Sequence, residues 1–418
     1  MEPPAKPLGQ RRALAFIFVT VLIDSIGFGI VMPVFPELIM GMTATDIGGA
    51  ARIAGWLALA YSLMQFVFAP IVGALSDGYG RRPVLLASLL AFGIDYLAAA
   101  FAPTIAWLFV ARLIAGATGA SFGTAYAYIA DVSPPERRAA NFGITGMGFG
   151  LGFIIGPVLG GVVGERFGVQ APFLVAAGLA FLNAAYGWVI LPESLAVENR
   201  RAFDWRRANP IGALTRLRLY RPAVLGLSLV VFLWIIGFQS LPVTWNYVVI
   251  ARFGWTSEQV GWSLAAIGLV ALVMQGGIAR WLIPRLGERR IVIVGALSGI
   301  GAYLIYGFAQ TEWQLYAGIV VGALSGLVYQ SLQALMSREV GANEQGELQG
   351  TISSVYSLAA IIGPVAMTRV FTLFARGYAG LVLPGAPFLL AAILATGALA
   401  VFVWLRSAGG PSETGSTG

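Results

Sequence analysis

Apolar residues fill twelve successive runs of the chain, each about 20 residues long, the length that spans a bilayer as a helix. The runs begin near Ala13, Ile53, Val84, Ile105, Phe142, Ala171, Pro222, Ser257, Ile291, Trp313, Gly350 and Gly380, and they are numbered helices 1 to 12 in that order. Apolar residues occupy every side of each run instead of alternating with polar ones, which predicts helices and argues against a β-barrel. The first run is too long for a signal-peptide core and lacks a cleavage signature, so it is expected to be retained as helix 1. The fold class is therefore an all-α polytopic membrane protein. The expected division is a six-helix half over 1–191, a cytoplasmic linker over 192–221, a second six-helix half over 222–406 and a polar tail over 407–418. Within the linker, Pro210 to Arg218 is expected to be solvated chain in preference to a surface amphipathic helix.

Composition supports this class. The chain is 58% hydrophobic and 11% charged, with a mean hydropathy of +0.81, whereas soluble domains carry about 25% charged residues. The net charge is +7, and 25 of the 26 basic residues are arginines. Twenty basic residues fall on the side of the termini and four, Arg52, Arg166, Arg252 and Arg376, on the other. The positive-inside rule then places both termini in the cytoplasm, and topology explains the basic balance without a nucleic-acid partner. Arg112 and Arg369 fall within spans, and Arg369 is expected to be a buried charge. Cysteine and histidine are both absent, so disulfides, thiol chemistry and the commonest metal ligand and general base are excluded. No metal site is expected, and without a G-x-S-x-G elbow either, no enzyme activity.

An internal repeat supports the two halves. Gly55-Trp56 recurs as Gly261-Trp262 at an offset of 206, while Gly80, Gly143 and Gly156-Pro157 recur as Gly287, Gly350 and Gly363-Pro364 at an offset of 207.

Several residues carry candidate chemistry. Between helices 2 and 3, Gly73 to Pro83 holds Asp77, Gly80, Arg81 and Arg82 in a short charged turn, with Asp77 and Arg81 as a candidate ion-paired latch. Helix 5 contains Gly152, Gly156, Pro157 and Gly160, in which glycines four apart permit close backbone approach and proline bends the helix. Asp24 in helix 1 and Asp95 in helix 3 are carboxylates inside spans, which cost roughly 2.5–3.5 kcal/mol on insertion scales and so mark function. Asp95 is expected near mid-membrane as the deepest carboxylate. Arg112 in helix 4 should pair with Asp24 or Asp95. Asp131, at the end of helix 4, is expected in a structural ion pair with the loop that follows it. Gln65, Gln239, Gln330 and Gln333, with Trp245 and other aromatics of helix 7, are candidates to line a weakly polar pocket, against the alternative of helix–helix hydrogen bonding.

The order G-x-x-x-S-D-x-x-G-R-R-P at Gly73 to Pro83 resembles the helix 2–3 loop of the major facilitator superfamily, and G-x-x-x-G-P-x-x-G-G in helix 5 resembles its antiporter signature. Arg112 and Gly116 resemble the helix 4 motif, with Ala115 in place of the usual glutamine. The helix 1 run, Asp95-Tyr96-Leu97, Ala130-Asp131, Arg252 to Trp255, Leu332 to Ser337 and Gly346 to Gly350 look like the bacterial tetracycline/proton antiporters, over most of the chain. The resemblance implies proton-coupled efflux of a drug by alternating access, with Asp24, Gln65, Asp77, Arg81, Asp95 and Arg112 carrying function. It implies no resident cofactor: protons are the coupling ion, and Mg2+ would travel only with a chelating substrate. The expected setting is the bacterial inner membrane, as a monomer. The chain departs from that group at Ala271 and Gly299, where the family carries a His and an Asp. An uncoupled facilitator, or a non-transporting scaffold, are the alternatives.

Overall fold

The computed structural model describes residues 7–119, 121–134, 137–201, 222–341, 344–378 and 380–408. The expected linker segment 202–221, with Pro210 to Arg218, and the tail from 409 lie outside the described residues. Among the described residues twelve helices are long and apolar enough to cross a membrane: Leu14–Val31, Ile47–Tyr79, Arg81–Ala100, Ile105–Val132, Asn141–Phe167, Ala171–Ile190, Pro222–Phe253, Ser257–Leu286, Glu288–Phe308, Glu312–Arg338, Leu348–Ala375 and Ala386–Leu405. No strand occurs among the described residues.

Two boundaries move for local reasons. Helix 2 begins at Ile47, earlier than the hydropathy start at Ile53, because Asp46 caps it by accepting from the Gly49 N–H at 2.8 Å. Helix 12 begins at Ala386 and not near Gly380. The stretch before it turns through Gly377 and Gly380, both at positive φ, and Leu383 N–H returns to the Phe374 carbonyl at 3.0 Å. Four helices are interrupted: helix 4 at Gly119, helix 7 at Gln239, helix 8 by a π-helical turn over Met274–Ile278, and helix 10 by a 3-10 stretch over Gly322–Leu327.

We call the end of the bundle at which helix 1 begins and helix 12 ends proximal and the other end distal. Helices 1–6 meet helices 7–12 at the distal end. Asn246 Nδ2 donates to the Met32 carbonyl at 2.5 Å, Ser257 Oγ to the Pro33 carbonyl at 3.3 Å, and Thr372 Oγ1 to the Gly48 carbonyl at 2.8 Å. The backbones at this seam nearly touch. A Cβ on Gly261 of helix 8 would lie 2.3 Å from the Pro157 carbonyl oxygen of helix 5, and one on Gly55 of helix 2 would lie 2.0 Å from Thr368 Oγ1 and 3.3 Å from the Pro364 carbonyl oxygen of helix 11. These are the repeat-related residues, so the two crossings are pseudosymmetric. Helix 5 also lies against helix 1 through Gly152, Gly156 and Gly160, where an added Cβ would come within 2.7 Å of the Leu22 and Ile26 oxygens and 1.9 Å of the Ile30 oxygen. At the proximal end the helix 5 glycines Gly143 and Gly146 and the helix 8 glycines Gly276 and Gly277 have nothing within 4 Å of where a Cβ would sit. Among the described residues, the close contacts between the two halves therefore lie toward the distal end, and these glycines are unopposed proximally.

Gly261→Val is expected to hold the distal seam apart. Overpacking of this kind costs about 1–3 kcal/mol. The measurement is labelling of Thr372→Cys, on the other crossing, by a membrane-impermeant maleimide; the chain has no native cysteine, and labelling should be faster in the Gly261→Val background.

Candidate functional site

The ionisable residues of the first half converge. Asp95, 4% exposed, pairs with Arg112 through Oδ2, as the sequence allowed. Asp95 Oδ1 and Arg112 Nε are buried and have no hydrogen-bond partner. Asp95 lies five residues before the distal end of helix 3 at Ala100, about 8 Å at ~1.5 Å per residue, so it sits in the distal part of its helix and not at the helix middle. Asp24, seven residues before Val31, about 10 Å by the same rise, is the deeper carboxylate, facing the Asn183 amide of helix 6. Thr20 Oγ1 donates to Asn183 Oδ1 at 3.2 Å and fixes that amide.

Two tyrosines complete the cluster. The Tyr96 hydroxyl lies against Gly27, one turn from Asp24, and the Tyr61 hydroxyl lies against Gly119 at the break of helix 4. Gln65 Nε2 donates to the Gly119 carbonyl at 3.4 Å, so Gln65 is held at the edge of the same group. Helices 1, 2, 3, 4 and 6 thus supply one polar cluster. Asn183 stands out in the sequence as a lone amide in an apolar run, whereas Tyr61 carries only the weak signal of preceding Gln65 by one helical turn.

The second half has no counterpart. At the repeat offset, Asp24, Asp95 and Arg112 correspond to Val231, Ala302 and Ile319, all buried apolar residues. A Cβ on Gly299 would lie 2.9 Å from the Trp234 ring and 3.1 Å from Ser325 Cβ, so the indole of helix 7 occupies the space a side chain there would need. Arg369 is exposed, not buried. Trp245 does not line a cavity: it is 1% exposed, stacks edge-on against Tyr306 at 5.2 Å and donates to Ser263 Oγ at 2.9 Å. Its length and its apolar neighbours favour the core. Gln239 packs on Gly363 of helix 11. Gln330 and Gln333 diverge: Gln330 Nε2 donates to Gln275 Oε1 at 3.1 Å in the π-helical turn of helix 8, and Gln333 Nε2 to the Tyr329 hydroxyl at 3.0 Å. Gln275 and Gln330 are both exposed, and π turns are common at functional sites. Among the described residues no group of acids could hold a metal ion.

The proximal loop forms its own network. Gly80 has φ +107°, which favours glycine, and a Cβ there would also strike Glu193. Arg81 pairs with Asp77 at 2.5 Å and Asp131 at 3.2 Å, so Asp131 is ion-paired, but its partner is the helix 2–3 loop where the sequence pointed to the loop that follows Asp131. The carboxylate at the N-terminus of helix 3 is Glu193, accepting from the Arg81 and Arg82 N–H groups at 2.9 and 3.3 Å. A helix N-terminus favours an anion. In the second half Glu288 pairs with Arg338, which are Arg81 and Asp131 shifted by 207 with the charges exchanged.

At the distal end Arg376 donates to both oxygens of Asp46 at 2.9 and 2.5 Å, joining the helix 11–12 turn to the start of helix 2. The Arg376 hydrogen bond, with the Gly49 N–H, holds the Asp46 carboxyl at about 2, below its usual 3.8. A depressed carboxylate contributes its share above its ordinary value and loses it only as pH falls toward 2.

Residues 17–364 match the sequence model of the Major Facilitator Superfamily, and the chain belongs to that superfamily of membrane transporters. Among curated proteins it is similar to the tetracycline resistance protein of class C from Escherichia coli, 37% identical over 372 residues, covering 89% of this chain and 93% of that one. It is 33% identical over 359 residues to the class B protein from Escherichia coli, covering 84% and 87%. Its structure is similar to the human organic anion transporter MFSD10 (TETRAN), with a TM-score of 0.71 and 26% identity over 95% of this chain and all of that one. A bacterial homologue of the lysosomal transporter Spinster, inward-facing and occupied, shares the fold at a TM-score of 0.75 and 16% identity, covering 96% and 98%.

Restoring a carboxylate by Gly299→Asp is expected to destabilise the protein by several kcal/mol, from a collision with Trp234 and an unpaired buried charge. A lower melting temperature in detergent, partly recovered with Trp234→Ala, checks this. Asp46→Ala is expected to speed distal labelling of Thr372→Cys. With the latch unsubstituted, the labelling rate taken relative to that of a fully exposed reference cysteine should stay flat from pH 8 to pH 5, because Asp46 remains charged throughout while thiolate formation slows both sites alike.

Proposed function

We propose that this transporter exports a tetracycline-like or other amphiphilic compound from the bacterial cytoplasm in exchange for protons, cycling between distally and proximally open states. The observation that carries the reading is the Asp95–Arg112 pair, buried in the bilayer with one carboxylate oxygen unpartnered and Asp24 and two tyrosines close by. A charge pair in hydrocarbon is costly unless fully bonded. Protonating Asp95 would neutralise the carboxylate and release Arg112; deprotonation would restore the pair. Such a switch couples one proton to a rearrangement of helices 3 and 4. Asp24, beside Asn183 in the middle of helix 1, is the second carboxylate in reach. Asp24, Gln65, Gln275 and Gln330 provide the polar contacts for a substrate entering from the proximal side. Gln239 and Gln333 lie at its margin.

With the termini in the cytoplasm, as the arginine distribution favours, the bundle rests inward-facing. In this state Asp77 turns to Arg81 and its neighbours instead of clamping a helix of the second half. That suits a gate formed by Asp77, Gly80 and Arg81 that engages only when the cytoplasmic side closes, with Gly156 and Pro157 of helix 5 at the crossing that closes the other side. Tetracycline resistance proteins as relatives support the substrate class. A resident cofactor has no part in the scheme; a chelated Mg2+ would be cargo.

The apolar residues at the repeat positions of Asp24, Asp95 and Arg112 favour a second reading, an uncoupled facilitator. Inverted vesicles with an imposed proton gradient separate the two. Tetracycline with Mg2+, then other lipophilic drugs, should dissipate the gradient through the wild type. Asp95→Asn should reduce uphill uptake to background while substrate counterflow persists. Uphill uptake unchanged in Asp95→Asn, or counterflow with no proton movement in the wild type, would replace the antiporter by the facilitator.

A further inference from the structure

Two arginines take no part in the clusters above. Arg52 on helix 2 and Arg369 on helix 11 are both exposed, and neither has a carboxylate partner among the described residues. They come from opposite halves of the sequence, yet the distal seam brings them side by side. Helix 2 meets helix 11 at Gly48, which faces Arg376 and whose carbonyl accepts from Thr372, and at Gly55, which faces Thr368. Arg52 lies between these two contacts, and Arg369 directly follows Thr368.

The helices run antiparallel, and each residue advances ~100° around the axis. On helix 2 this turns Arg52 and the 49%-exposed Trp56 to one flank of the seam. On helix 11 the exposed stripe of Ile362, Arg369 and Leu373 is rotated roughly a quarter turn from Thr368 and Thr372, toward that same flank. Arg52 is five residues inside the start of helix 2 at Ile47, and Arg369 six before the end of helix 11 at Ala375, so both lie about 8–9 Å below the helix ends.

Two guanidinium groups on the same flank of a closed seam repel, and a low-dielectric surround strengthens the repulsion. The nearby Asp46 is already engaged by Arg376. An anion between the two arginines would turn repulsion into a bridge. The depth, the exposed apolar Ile362 and Leu373, and a tryptophan of the kind that marks bilayer interfaces place that anion in the membrane. We propose that Arg52 and Arg369 together bind the phosphate of one anionic phospholipid in the distal leaflet, and that this lipid stabilises the distally closed conformation. Arginine suits the role because its planar fork binds phosphate in bidentate fashion. The site does not depend on which substrate is carried.

The test uses the full-length protein with Ser257→Cys, a reporter on the helix 5–8 side of the distal seam, away from the lipid site. Labelling by an impermeant maleimide is compared in phosphatidylcholine vesicles with and without phosphatidylglycerol. Phosphatidylglycerol is expected to slow labelling about fivefold or more. Arg52→Gln with Arg369→Gln should abolish the difference, and Arg52→Lys with Arg369→Lys should keep most of it. Should the double glutamine variant fail to fold, each single glutamine variant should lose most of the effect, since the bridge needs both. Native mass spectrometry should find one fewer phosphatidylglycerol retained on the glutamine variants. Equal rates in both lipids, or a full lipid effect in the glutamine variants, would overturn the proposal. So would inorganic phosphate slowing labelling in phosphatidylcholine vesicles as strongly as phosphatidylglycerol, which would make this a soluble-anion site.

Discussion

Close approach of two backbones, permitted only where a side chain is missing, governs this structure. At the distal seam Gly261 lies against the Pro157 carbonyl and Gly55 against Thr368 and the Pro364 carbonyl, and these few atoms define where the two sets of six helices touch. No hydrophobic gain drives helices together inside a bilayer, because lipid tails are as apolar as leucine; packing and polar contacts must do it. The prolines contribute from the other side. Each removes a backbone donor and bends its helix, and the Phe153 carbonyl that Pro157 leaves without an N–H lies 3.4 Å from where a Cβ of Gly268 would sit. The unopposed proximal glycines follow from the same geometry, since two rigid bundles bearing on one end separate at the other.

Charge obeys a second constraint. Ionised groups in hydrocarbon are expensive unless paired, and the first half gathers its intramembrane carboxylates, with Arg112, into one cluster. The second half carries valine, alanine and isoleucine at the matching positions. The duplicated scaffold thus holds chemistry on one side and apolar packing on the other. Outside the bilayer the repeat preserves a pairing while exchanging its signs: Arg81 with Asp131, Glu288 with Arg338. An attraction between two helix ends is indifferent to which end carries which charge, so geometry persists where residue identity does not.

The twelve spans, the glycine and proline positions of the crossings and the candidate pair for Arg112 were legible along the chain, because each depends on local composition or on a fixed offset of 207 residues. Depth and facing were not. Asp95 lies nearer the distal surface than a count from Pro83 gives, and Trp245 is sealed in an aromatic core with Tyr306 and Phe388. Gln330 and Gln333 share a helix face yet choose different partners. Glu193, an acid in an arginine-rich segment, holds the N-terminus of helix 3 from 110 residues away, and nothing in its neighbourhood announces that.

The sequence by itself determined that this protein is a helical membrane protein of twelve spans and where charge can be tolerated, because the cost of polar groups in hydrocarbon acts residue by residue. Only the tertiary structure decided which charges meet, which aromatics are sealed in the core, and which end of the bundle is closed. Those outcomes depend on the rotation of each helix about its axis, and contacts between residues far apart in the chain set that rotation.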